Sequence, residues 1–374
     1  MEVTGRDLKF LAVGAVASVG LTALLTSQYR NNIHAPCRII DSPLPQIQST
    51  LTEEQQNKLP YAPDALEGAR DVETPFGNIR VYEWGPEDGK KVLLIHGINL
   101  FGRGFSSTPD PAAQPQDIQL FTTQILLVLS SSPLSWTGNG NRFGLIGYSL
   151  GGGITASFTS YFPNLVESLV LIAPAGLMRS ERIHWTSKLL YGGFLPRRLV
   201  EYLVWRRLGG NSSAPIPSQH TNDDSKVTAT KAADEEAPAH PALTRNSPAQ
   251  ISARRPSVSI ADVVSWQLTH HAGFVPAFVS SIQHAPISAQ HSSWESIAGR
   301  QLLPPDQRLL EGKVLLLLGK DDTVVIADEM CKDSKEVLGN AIDIRVMDGG
   351  HELPVTDADI VAATILDFWS HHIA

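Results

Sequence analysis

The 374-residue chain predicts an α/β fold: a mostly parallel central sheet flanked by helices, with a helical cap inserted late in the chain. Three observations carry this. Short continuous apolar runs recur at Lys91–Ile95, Phe143–Ile146, Leu169–Ala173 and Val314–Leu318, the texture of strands buried on both faces. Helical patterns separate them, so the units read strand–helix–strand, which implies parallel pairing. A glycine-flanked serine, Gly147-Tyr148-Ser149-Leu150-Gly151, sits between one of those strands and the next helix. The composition suits a large packed core, with 42% hydrophobic and 18% charged residues. A net charge of −8 argues against a nucleic-acid partner, because phosphate binding needs a basic face.

The elements follow in order. Residues 1–30 read as a membrane anchor or signal segment. Phe10–Thr26 is apolar and no charge falls between Lys9 and Arg30. That run of about 20 residues is near the lower limit for a spanning helix. Arg6 and Lys9 precede it, as in an anchor with a cytoplasmic N-terminus, although Arg30 and Arg38 follow. A single N-terminal anchor would make the protein membrane-associated; the alternatives are secretion after signal cleavage and a buried core helix. Residues 31–70, rich in Pro, Gln, Ser and Asn, read as a tether with some short structure. The core is expected over 71–177 and 301–374.

Within the core, Asp71–Pro75 and Asn78–Trp84 read as a hairpin turning at Phe76-Gly77. Ile342–Met347 alternates like an outer strand. The last helix puts Val361, Ile365, Phe368 and Trp369 on one face. Residues 178–300 form the expected cap. Ser180–Leu208 is basic and amphipathic, and Ile260–Ile297 is helical in pattern. Between them, about 211–257 contains no Phe, Trp or Tyr and is expected to be disordered. Asn211-Ser212-Ser213 there is a glycosylation sequon. Cys37 and Cys331 make neither a disulfide framework nor a zinc motif.

Chemistry concentrates at three positions. A Gly-x-Ser-x-Gly turn between strand and helix lifts the Ser149 hydroxyl above the sheet, beside the free N–H groups of a helix N-terminus. A serine hydroxyl needs a base. His351 follows Gly349-Gly350 after the last strand, whereas His270-His271 and His371-His372 lie on helical patterns and His96 closes a strand as His-Gly, a place suited to shaping a loop. The base in turn needs an acid to hold its tautomer. Asp322, three residues past Gly319, is the candidate, with Asp321 as fallback. The order Ser149, Asp322, His351 is the one this type of fold uses.

With these residues in view, the sequence resembles the α/β-hydrolase superfamily, in the branch of capped esterase- and lipase-like enzymes. It is similar to fungal-type members with segments like Val81–Gly89, Thr122–Leu127, Ser131–Trp136 and Ile146–Gly153. The resemblance runs from about Asp71 to the C-terminus outside the cap loop. It implies a Ser149-Asp322-His351 triad, an oxyanion hole of the Leu150 and Ile98 backbone N–H groups, and no metal or cofactor. The expected activity is cleavage of a carboxylic ester of a hydrophobic substrate through an acyl-enzyme. The same triad could act on amide, thioester or carbon–carbon bonds. Trp185, Tyr191, Trp205, Trp266, Phe274 and Phe278 in the cap suggest a hydrophobic acyl or aryl substrate, or simply pack the cap on the core.

One segment departs from the family pattern. That pattern places about 25 to 30 residues between the His-Gly turn and the glycine-rich loop before a serine, the length of a crossover helix and a strand. Here His96-Gly97-Ile98-Asn99 runs straight into Leu100–Ser106, and Asn99 stands where the family has Asp. A central strand missing from the interior would leave unpaired N–H and C=O groups, each costing about 1–3 kcal/mol. A coding sequence shortened at this point accounts for the gap. The rival expectation is a catalytically impaired, membrane-tethered pseudoenzyme.

Overall fold

The computed structural model describes residues 38–60, 62–98, 104–179, 185–209, 250, 258–304 and 307–370. The expected N-terminal span, the sequon, almost all of the expected disordered loop, Asn99–Arg103 and the His371-His372 pair lie outside these residues.

In chain order the first elements are β1 (Ile39–Ile40), α1 (Leu44–Thr50), α2 (Glu53–Asn57), β2 (Ala69–Val72), β3 (Ile79–Tyr82), β4 (Val92–Ile95) and β5 (Thr108–Pro109). Part of the expected tether is therefore packed structure. β1 pairs antiparallel with β5. Leu44 and Ile47, three apart on α1, bury against Phe105, Val263 and Trp266. Thr52 and Gln55 form a capping box that starts α2. β2 and β3 form the expected hairpin, but as a separate two-stranded sheet.

The second half of the core follows as α3 (Ile118–Ser131), β6 (Phe143–Tyr148), α4 (Leu150–Tyr161) and β7 (Val166–Ile172). The cap helices among the described residues come next: α5 (Trp185–Tyr191), α6 (Arg197–Arg207), α7 (Ile260–His270) and α8 (Phe274–His284). The chain ends with α9 (His291–Gly299), β8 (Val314–Gly319), α10 (Ala327–Leu338), β9 (Ile342–Met347), α11 (Leu353–Thr356) and α12 (Ala358–Ser370).

The main sheet has the order β4-β6-β7-β8-β9, and every pair in it is parallel. Side chains alternate between its faces with period two. Leu145, Leu169, Leu171 and Leu316 point to the layer that holds α3, α4, α9 and α10. Ile146, Val170, Ile172, Leu315 and Leu317 point to the other face, where Val361, Ile365 and Phe368 of α12 cover them. Trp369 Nε1 on α12 donates to Ser168 Oγ on β7 at 2.9 Å. The apolar runs are continuous because both faces are covered.

The strand before the short segment has a neighbour on one side among the described residues. β4 pairs with β6 on one side and forms an edge. Leu93 and Ile95 pack on the layer with α4, and Val92 packs under α12, but Leu94 is 60% exposed. The expected gap thus leaves the outer edge of β4 without a paired strand among the described residues.

In the cap, Val200 and Val204 of α6, Ile260 and Val264 of α7, and Phe274 and Phe278 of α8 form one cluster, which touches Ile98 and Tyr148 below. The last helix of the 178–300 segment is different. Trp294 and Ile297 of α9 are buried in the core cluster beside α4. Among the described residues no helix is long and apolar enough to cross a membrane.

Candidate active site

β6 ends at Tyr148 and α4 begins at Leu150, which leaves Ser149 alone in the turn. Its backbone is held at φ +54°, ψ −120°. Such a conformation costs about 1–3 kcal/mol and survives only where the surroundings enforce it. Ser149 N–H donates to the Ile172 carbonyl at 3.0 Å, and the Ser149 carbonyl accepts from Gly152 and Ala175 N–H at 2.9 and 2.8 Å. The turn also needs the two flanking glycines. A Cβ on Gly147 would stand 2.2 Å from Thr155 Oγ1, and one on Gly151 would stand 2.2 Å from the Ile95 carbonyl oxygen. Gly151 therefore lets α4 press against the end of β4, which brings the His96–Ile98 loop beside the serine.

The other two candidates arrive from the far strands. Asp322 lies on the turn leaving β8, and His351 on the loop between β9 and α11. His351 Nδ1 is 2.8 Å from Asp322 Oδ2, and its Nε2 is 3.0 Å from Ser149 Oγ. A carboxylate only accepts, so Nδ1 carries the proton and Nε2 is left to accept from the serine hydroxyl. Asp322 Oδ1 accepts from the N–H groups of Val324 and Val325 at 2.7 and 2.8 Å. The Asp322 side chain is fully buried and that of His351 nearly so. Asp321 instead points into solvent, and its N–H bonds the Gly349 carbonyl at 2.9 Å.

Sequence reasoning passed over Tyr148. Its ring centroid lies 5.4 Å from that of His351. Burial holds its phenol far above the ordinary value, and the Glu352 and Asp322 charges add to this. A neutral ring thus walls one side of the imidazole. Its signal was its place next to Ser149 at the end of a buried strand. The Val324 and Val325 N–H groups had no signal, since any residue but proline supplies one. His96 Nδ1–H donates to the carbonyl of Gly97 at 2.6 Å, so it stabilises its own loop.

A small cleft, partly open to solvent, lies at Ser149. Ile98, Leu150, Met178, Ile282 and Val325 line it with the serine. Leu150 is the first residue of α4, so its N–H has no acceptor within the helix. A second, larger cleft shares Met178, Val324 and Val325 with the first. None of the six cap aromatics expected at the substrate lines the cleft. Phe274 and Phe278 are buried in the cap, Trp266 packs on Phe105, and Trp185 faces solvent. Among the described residues no group of His, Cys, Asp and Glu could hold a metal ion.

The family model described as "alpha/beta hydrolase fold" matches residues 80–358. A human protein called "Serine hydrolase-like protein" is 28% identical over 154 residues, covering 35% of this chain and 70% of its own length. A Danio rerio protein of the same name is 28% identical over 131 residues, covering 29% of this chain and 38% of its own. Among solved structures, a membrane phospholipase A described as a bacterial virulence factor matches with a TM-score of 0.50. It shares 15% identity, over 98% of this chain and 99% of that one, a likeness of fold alone.

Proposed function

The chain belongs to the α/β-hydrolase family, and from that premise we propose that it is a serine hydrolase cleaving a carboxylic ester of a hydrophobic substrate. The observation that carries the reading is the continuous relay from Asp322 through His351 to Ser149, at 2.8 and 3.0 Å. Both distances lie within the reach that nucleophile and base require.

Each group then has a role that follows from its surroundings. Ser149 Oγ attacks the ester carbonyl while its proton passes to His351 Nε2. The imidazolium so formed is stabilised by the buried Asp322 carboxylate, whose second oxygen the Val324 and Val325 N–H groups hold in place. The carbonyl oxygen becomes an oxyanion at the N-terminus of α4, with the Leu150 N–H and the Ile98 N–H as donors. His351 returns the proton to the leaving alcohol, which departs and leaves an acyl-serine. A water molecule, deprotonated by His351, attacks that acyl group, and the acid is released as the Ser149 oxygen leaves and takes the proton back from His351. The apolar cleft wall of Ile98, Leu150, Met178 and Ile282 favours an uncharged acyl chain.

A second reading has one observation in its favour. Ile98 follows β4, an edge strand whose Leu94 is exposed. If its N–H were misplaced, losing one oxyanion donor would cost about 2.7–4 kcal/mol and leave an impaired enzyme. One experiment tests both. A fluorophosphonate probe is expected to label the wild-type chain and not Ser149→Ala, and the substitution should lower kcat on p-nitrophenyl esters by roughly 10⁴-fold or more. A folded wild-type chain that takes no label would refute the ester hydrolase and favour the impaired form. Amide and thioester analogues of one acyl chain, run beside the ester, establish the bond cleaved.

A further inference from the structure

We propose that the outer face of the cap helices α5 and α6 is a docking surface for a lipid bilayer containing anionic headgroups. This stands on the cap surface and does not depend on what Ser149 does.

On a helix packed on a soluble core, the inward stripe is apolar and the outward stripe polar. α6 breaks that rule. Val200 and Val204 point inward, onto α8. The outward stripe reads Arg198, Leu199, Tyr202, Leu203, Arg206, Arg207, and all six are exposed. Its middle is apolar and both ends are cationic. α5 repeats the pattern with Trp185 and Leu189 outward beside Lys188, and Phe194 stands between the two helices. Trp185 is 67% exposed and Phe194 is 82% exposed, the latter an extreme value for an aromatic side chain in water.

Charge decides what this face fits. The chain as a whole carries −8, yet residues 185–209 hold five cations and a single acid. That acid, Glu201, is engaged by Arg197 at 2.6 Å, and Arg197 also bonds Asp110 at 2.9 Å. Lys188, Arg198, Arg206 and Arg207 are left around the apolar strip. Trp and Tyr with leucines at the centre and long cationic side chains at the rim match the bilayer interface. There the rings sit at headgroup depth and the cations reach phosphate. The residues stand on helix faces rather than in a groove, which suits a broad surface better than a peptide.

A reporter on the face itself separates this contact from any binding by the N-terminal segment. The full chain carrying Cys37→Ser, Cys331→Ser and Phe194→Cys is labelled with a nitrobenzoxadiazole fluorophore. It is then titrated with vesicles of phosphatidylcholine alone and of phosphatidylcholine and phosphatidylserine at 3:1. Emission should rise severalfold and shift to the blue on the anionic vesicles, with little change on the neutral ones, and salt should reverse it. Adding Arg198→Gln, Arg206→Gln and Arg207→Gln should raise the half-saturating lipid concentration roughly tenfold or more. Circular dichroism checks each chain for folding, and Trp185→Cys carries the label if Phe194→Cys does not fold. No blue shift while the protein sediments with anionic vesicles overturns the proposal, as does an equal shift on both vesicles. A blue shift without lipid that grows with protein concentration also overturns it, since a second copy would then cover the face.

Discussion

At Ser149 the positive φ and the close packing of Gly147 and Gly151 have one consequence: the hydroxyl stands clear of the sheet and within reach of His351. The choice between neighbouring carboxylates is as sharp. Asp322 is buried, with both oxygens engaged, whereas Asp321 faces water. Under the proposed mechanism, Asp322→Asn should lower kcat on p-nitrophenyl butyrate by about 10⁴-fold, because an amide in that position favours the wrong histidine tautomer. Asp321→Asn should stay within a few-fold of wild type. Equal losses in the two variants would remove Asp322 from the role.

Among the elements, the strand-to-helix turn after β7 and the one after β8 meet at a wall. Met178 follows the first, Val324 and Val325 follow the second, and all three separate the cleft at Ser149 from the larger one behind it. Met178→Ala should join the two and admit longer chains. The ratio of kcat/KM for p-nitrophenyl decanoate over butyrate is expected to rise roughly tenfold. An unchanged ratio in a chain that still labels at Ser149 would show that the wall does not set acyl length. The other informative element is β4. Its apolar sequence, Val92–Ile95, has the texture of a strand covered on both faces, yet Leu94 is exposed on the same face where Val92 packs under α12. One further strand and one further helix would cover it. We expect the native transcript to carry coding sequence for them between codons 95 and 105. An uninterrupted genomic reading frame without such an exon would make the exposed edge native.

For the molecule as a whole, burial of phenols ties stability to alkaline pH. Burial pushes the Tyr191 phenol from its ordinary 10 up to about 12, with the Arg207 charge opposing in part. Its folded-state value lies above the unfolded one. The stabilisation is therefore fully present below pH 10 and lost as pH rises through about 12. Tyr191→Phe should flatten the fall in urea-unfolding midpoint across that interval. If the variant and the wild type lose stability in parallel there, the alkaline loss comes from other groups. Tyr148 is shifted upward in the same sense by burial, so it stays protonated beside His351 throughout the neutral range.

The sequence by itself determined the α/β class, the strands of the parallel sheet, and the turn that isolates Ser149. Each of these is written in local pattern. A strand covered on both faces must be apolar throughout, a helix face repeats every three to four residues, and a tight strand-to-helix turn needs glycine on both sides. Tertiary structure alone decided what packing across long separations decides. It brought His351 to Asp322, 29 positions away, and to Ser149, 202 positions away. It buried Asp322 and left Asp321 beside it in solvent. It put β4 at the rim of the sheet, and it sent the cap aromatics into apolar clusters or out to solvent, away from the cleft. Periodicity tells which side of an element is covered and not by what, because that depends on where the neighbouring elements come to rest.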